Sequence, residues 1–361
     1  MKKTKLFSLG VVGMAALLAF SGCGGGNKGS ASSSKKDEDH SVVMVTDVSG
    51  VDDKSFNQSA WEGLQKWGKE QKFKRGIGGY DYIQSNEIAQ FASNIDTAVS
   101  NGFKTVFGIG YLLADSIDAA AEQNPDTNFV IIDTVIEGKD NVVSATFRDN
   151  EVGYIAGVSA AYTTKTNKVG FIGGEEGKVI DRYEAGFTKG VKDTAKKLNK
   201  DISVDVKYAA SFGDPAKGKA LAANIYQNGA DIIYQAAGGT GAGVFSEAKA
   251  LNQDKNEADK VWVLGVDRDQ QDEGSYKSKD GKESNFCLAS TIKSVGVVVQ
   301  DISTRALDDK FPGGKHLSFG LKDGGVEMTD GYLSDEAKTA VKDAKEQIIA
   351  GDVKVPETPE D

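Results

Sequence analysis

The chain has 361 residues, 39% hydrophobic and 27% charged, enough apolar material for one large or two medium globular domains and too much for a wholly disordered protein. Its 53 Asp and Glu outnumber 43 Lys and Arg, so it lacks the cationic excess that nucleic-acid binding needs. Two His and two Cys leave almost no room for imidazole catalysis, a His-rich metal site or a disulfide framework.

Residues 1–5 carry three Lys, residues 6–20 are small and apolar, and Ser21-Gly22-Cys23 follows. A basic start, an apolar run and a small-residue stop read as a secretory signal. The run falls short of the ~20 apolar residues that span a bilayer. Cys23 after Ser-Gly resembles the lipobox of bacterial lipoproteins, although Phe20 stands where Leu is usual. That reading removes residues 1–22 and places a lipid on Cys23. Residues 23–40, rich in Gly, Ser and charge, form a flexible tether with a typical span of roughly 20–25 Å. The expected location is the outer face of the cell membrane, lipid-anchored.

Beyond the tether, Val42–Val45 predicts a strand and Ser55–Gln71 a helix, with Phe56, Ala60, Leu64 and Trp67 on one face. Helices follow at 88–99 and 113–121, and strands at 105–107, 129–133 and 142–147. The alternation then restarts: helices at 152–162, 183–198, 216–226 and 244–251, strands at 169–172, 204–209, 232–234 and 261–266. Phe286–Lys293 reads as a further strand, and His316 as loop. Two successive β/α runs predict two doubly wound lobes with parallel sheets. Ligands bind such sheets beyond the C-terminal strand ends. Asp47, Gly108 to Tyr111, Asp133, Phe147, Gly173, Phe212, Gly238 to Gly241 and Asp267 stand there.

The segment from Asp47 to Gln58, DVSGVDDKSFNQ, joins the first strand to the first helix and offers carboxylates, an aromatic ring and an amide. Asp53 is the better candidate for a helix cap than for a ligand contact. Asp267, ending a strand, is suited to accept hydrogen bonds from a vicinal diol. Lys293 is a candidate hydroxyl donor paired with it, or a solvated charge. Three look-alikes fail. Residues 213–219 have phosphate-loop spacing, but Ala220 replaces the hydroxyl that holds magnesium. Residues 239–243 lack the full dinucleotide fingerprint. Asp47 to Asp53 resembles the calcium loop of nucleoside hydrolases, but Val45 takes the first carboxylate position.

Together, DVSGVDDKSFNQ, Phe147-Arg148 with Glu151, Ala156-Gly157, Gly238-Gly239-Thr240-Gly241, Gly265-Val266-Asp267 and the stretch ending at Lys293 resemble the basic membrane protein family. That family includes the purine nucleoside receptor lipoproteins of ABC importers. The resemblance implies the type I periplasmic-binding-protein fold, two α/β lobes joined by a three-strand hinge. It divides the chain into an N-terminal lobe of residues 41–147 plus 292–311 and a C-terminal lobe of 148–291 plus 312–361. It further implies a nucleoside whose base is sandwiched by Phe56 and Phe212. Asn57 and Asp133 then bond the base edge with Asp47 close by, and Asp267 and Lys293, helped by Gly239, hold the ribose. The implied partners are an ABC permease and ATPase, with no cofactor, metal or catalytic residue. A sugar receptor of the same fold and a nucleoside hydrolase are the alternatives.

Overall fold

The computed structural model describes residues 40–359. The signal, Cys23 and nearly all of the tether lie outside the described residues. Strand β1 (Val42–Val45) is apolar on both faces and wholly buried, as a central parallel strand must be. Helix α1 (Phe56–Glu70) starts where the Asp53 carboxylate accepts the backbone N–H groups of Ser55, Asn57 and Gln58 at 2.8, 2.8 and 3.1 Å. This is the capping role expected of Asp53. The first run continues with β2 (Tyr80–Ile83), α2 (Phe91–Ser100), β3 (Thr105–Gly108), α3 (Ala114–Gln123), β4 (Asn128–Ile132) and β5 (Val142–Phe147).

The second run comprises α4 (Asp149–Thr163), β6 (Lys168–Gly173), α5 (Lys178–Leu198), β7 (Ser203–Tyr208), α6 (Pro215–Gln227), β8 (Ile232–Ala236), α7 (Gly241–Gln253) and β9 (Trp262–Gly265). Pro215 begins α6, where its missing N–H costs nothing. A short hairpin, β10 (Ser275–Lys277) and β11 (Glu283–Asn285), precedes β12 (Cys287–Lys293). The chain closes with α8 (Val295–Leu307), β13 (His316–Phe319), β14 (Val326–Met328) and α9 (Asp335–Ala350).

Two six-stranded sheets result, in the orders β13-β5-β4-β3-β1-β2 and β14-β12-β9-β8-β6-β7. Every pairing is parallel except that of the edge strand β14 with β12. This is the type I architecture. Helix α8 leaves the second sheet and packs on α1 over the first, while α9 packs on α4. The chain thus passes between lobes three times.

Two of those passages differ from the sequence-based boundaries. Strand β12 holds the second sheet through Lys293, two residues beyond the expected end of that segment at 291. The sequence reading places residues 312–361 wholly in the second lobe, and His316 in a loop. Instead His316–Phe319 pairs with Ser144–Phe147 of β5, moving the third passage to Gly320–Gly325. β13 is a four-residue edge strand whose Leu317 and Phe319 pack on the core while His316 and Ser318 are exposed; its alternation is too short to mark a strand, and its backbone pairs with β5. His316 Nε2 adds a 2.7 Å contact to Thr146 Oγ1 across that pair. Among the described residues no helix is long and apolar enough to cross a membrane.

Candidate ligand cleft

The C-terminal strand ends of both sheets meet across a cleft of about 530 Å³, part of it open to solvent. β1 delivers Asp47, β4 delivers Asp133, β8 leads to Gly238, β9 to Asp267, and β12 ends in Lys293. Asp133 (φ +74°) and Asp267 (φ +67°) both adopt the left-handed backbone that few residues other than Gly, Asn and Asp tolerate. Phe56, at the first turn of α1, lines the cleft from the first lobe. Phe212, in the loop after β7, lines it from the second. Val179, Ile180 and Tyr183 from the start of α5 and Tyr111 after β3 complete the apolar wall.

The polar groups are tied together in two sets. In the first, Asn57 Nδ2 donates to Asp47 Oδ1 (2.7 Å) and to Asp53 Oδ2 (2.9 Å), while its Oδ1 accepts the Asp47 N–H (3.2 Å). Ser49 N–H donates to the same Asp47 oxygen at 2.8 Å. In the second, Lys293 Nζ donates to Asp133 Oδ2 at 2.7 Å and lies 3.1 Å from Asp149. Arg182 binds the other Asp149 oxygen at 3.0 Å. The ammonium also faces the rings of Phe56 and Phe147 at 5.3 and 5.0 Å. Ser55 donates its hydroxyl to Asp267 across the lobes.

Four carboxylates, Asp47, Asp53, Asp133 and Asp267, therefore surround one lining cation, Lys293. Burial pushes the Asp47 carboxyl up to about 7, and hydrogen bonds from Ser49 and Asn57 only partly oppose it. Burial likewise raises Asp267 to about 7, with Lys293 pulling the other way. Burial works against the Lys293 ammonium, but Asp133, Asp149 and Asp267 outweigh it and hold its pKa above the usual lysine value. Lys293 is thus a charged, fixed group. Such a cleft offers hydrogen-bond acceptors to a neutral ligand and repels an anion.

The Bmp family model, described as ABC transporter substrate-binding protein PnrA-like, matches residues 40–359. The ABC transporter nucleoside-binding protein BmpA of Lactococcus lactis subsp. cremoris is 52% identical over 354 residues, 98% of this chain and 99% of its own. A CD4+ T-cell-stimulating antigen of Listeria monocytogenes is 48% identical over 90% of each chain. The chain belongs to the PnrA-like family of ABC transporter substrate-binding proteins. A solved ABC transporter solute-binding protein from Aeropyrum pernix K1 shares the fold, with TM-score 0.76 at 24% identity over 89% of this chain and 94% of that one. As a PnrA-like protein the chain is a substrate-binding protein and not an enzyme.

Within the PnrA-like cleft, six residues singled out from sequence are brought together: Asp47, Phe56, Asp133, Phe212, Asp267 and Lys293. Two others are placed differently. Asn57, expected at the base edge, lies beneath the cleft, wholly buried, with both amide hydrogens engaged by Asp47 and Asp53. Gly238 (φ +54°), not Gly239, lines the cleft; Gly239 instead backs onto the Phe212 carbonyl, which its added Cβ would meet at 3.2 Å. Lys293 pairs with Asp133 and Asp149 rather than with the Asp267 carboxylate, which receives Ser55. Sequence reasoning also missed the wall from Val179, Ile180 and Tyr183. Their signal was the Gly173-Gly174 pair that ends β6 just before α5, where a Cβ on Gly174 would lie 2.3 Å from the Phe212 ring.

Proposed function

We propose that the protein is an extracytoplasmic receptor, held to the membrane by lipid on Cys23, that closes on a nucleoside and presents it to the permease of an ABC importer. The observation that carries this reading is the cleft itself. It has an aromatic ring from each lobe, Phe56 and Phe212, and buried carboxylates facing the space between them. A nucleobase has two flat faces, and each aromatic stack contributes ~1–3 kcal/mol. Its N–H groups and the ribose hydroxyls are donors suited to Asp47, Asp133 and Asp267. The acidic lining disfavours phosphates, so nucleosides bind better than nucleotides. The name of the 52%-identical lactococcal protein supports the same ligand class, and the Ser-Gly-Cys23 stop supports the anchor.

Calorimetric titration tests the reading, with protein unfolded and refolded beforehand to strip any bound ligand. Adenosine, guanosine and uridine are expected to bind saturably, with adenine and ribose far weaker and no product formed. Binding of ribose with silence towards nucleosides overturns it in favour of a sugar receptor. Release of free base reinstates a hydrolase.

A further inference from the structure

We infer that the Tyr111 hydroxyl is a specificity determinant of the cleft, a hydrogen-bond donor that reads an oxo group on the base edge of the ligand. The inference rests on the nucleoside reading above and deepens it. Tyr111 owes its place to Gly110, whose φ of +109° turns the chain after β3. A Cβ at that glycine would be strained and would lie 3.5 Å from the Phe56 ring and 3.6 Å from the Asp47 carboxylate. The Tyr111 ring then stands edge-on to Phe212, with centroids 6.3 Å apart and planes at 77°. This sets the phenol beside one of the two proposed stacking faces. Its oxygen reaches towards the second lobe, 3.7 Å from where a Cβ on Gly177 would lie.

The hydroxyl is buried and has no hydrogen-bond partner among the described residues. An unpaired buried hydroxyl is unfavourable, a loss removed when a ligand supplies an acceptor. Burial, with Glu175, Asp133, Asp47 and Asp181 nearby, keeps the phenol protonated, so it acts as a donor.

The rest of the lining has the opposite character. Above about pH 7, where Asp47 and Asp267 are ionised, its carboxylates only accept; Lys293 is engaged by Asp133 and Asp149, and the Ser49 hydroxyl donates to the Phe212 carbonyl at 3.1 Å. Ligand donors therefore have many partners, whereas a ligand carbonyl has few. Tyr183 carries a second unpartnered hydroxyl, but its ring packs against Tyr234 in the core and beside Lys293. Tyr111 alone of the two touches a stacking ring.

The test compares inosine with purine riboside, which lacks the oxo group, by calorimetry at pH 8 on the parent protein, Tyr111→Phe and Tyr183→Phe. Tyr111→Phe is expected to weaken inosine roughly tenfold and to leave purine riboside within about twofold. Tyr183→Phe is expected to keep the parent ratio. Equal weakening of both ligands by Tyr111→Phe, no change in either, or loss of the ratio in Tyr183→Phe instead overturns the assignment. A parent protein that binds neither nucleoside overturns the nucleoside reading, and this inference with it.

Discussion

Asp47 and Asp267 face the same cleft from opposite lobes, and burial raises both from an ordinary 3.8 to about 7. Between about pH 4 and pH 7 the folded protein holds protons on these carboxyls that the unfolded chain has released. Each such proton tilts stability by about 1.4 kcal/mol per pH unit. The contribution is complete below the unfolded value and is lost as pH rises through 7. The ligand-free protein is therefore expected to melt at a higher temperature at pH 5 than at pH 8. Asp267→Asn should flatten that dependence by one proton. Asparagine tolerates the +67° backbone and still accepts the Ser55 hydroxyl. Melting curves across that range decide it, and a variant profile parallel to the parent would sink the argument. The same residue shows what sequence carries. An Asp ending a strand marks a ligand position, but its partner does not follow from strand position, because Ser55 lies 212 residues away on the other lobe.

Helices α4 and α5 illustrate the same limit among elements. They pack so closely that a Cβ on Gly157 would lie 2.2 Å from the Phe187 carbonyl oxygen, and one on Gly186 2.1 Å from that of Asn150. Neither neighbour is a side-chain tip that can swing away. Gly157→Ala must push the helices apart, at a cost of about 1–3 kcal/mol. Because the first two turns of α5 carry Val179, Ile180 and Tyr183 into the cleft, ligand affinity should fall together with melting temperature. Thermal melts and titrations on one variant check both, and an unchanged affinity in a destabilised protein would separate the helix pair from the site. Ala156-Gly157 was visible in the sequence, but its contact with α5 was not, since periodicity names a face without naming its partner. The strongly apolar strands β1, β3, β4, β5 and β6 were legible for the reason that they are buried. Strand β2, with Asp81 in a four-residue run, and the half-exposed edge strand β13 were not. Each is only four residues long with two or three apolar side chains on the core, too short a pattern to stand out until the neighbouring ladder is known.

The two lobes meet at the lip of the cleft through bonds that need no ligand. Ser55 donates to Asp267, Ser49 Oγ to the Phe212 carbonyl at 3.1 Å, and Gln270 Nε2 to the Lys54 carbonyl at 2.8 Å. Arg268 approaches Glu62 at 3.4 Å. The chain passes between the lobes at three places, and a hinge motion about them would have to break these contacts to open the cleft. Ser55 is well suited to such a clasp. It stands at the N-cap of α1 without making a side-chain cap, because Asp53 already holds the helix N–H groups. Its hydroxyl is free to cross the cleft. Ser49→Ala with Ser55→Ala should leave both lobes folded while removing two of the bonds. Each neutral bond contributes about 0.5–1.5 kcal/mol, so dissociation of a bound nucleoside should accelerate by about tenfold. Association, which begins from the open form, should change little. The ligand-free double variant should also scatter X-rays with a larger radius of gyration, returning to the parent value when ligand saturates it. Stopped-flow dissociation and solution scattering together decide the case. An unaltered off-rate would mean that the ligand, and not the protein's own clasp, holds the lobes together.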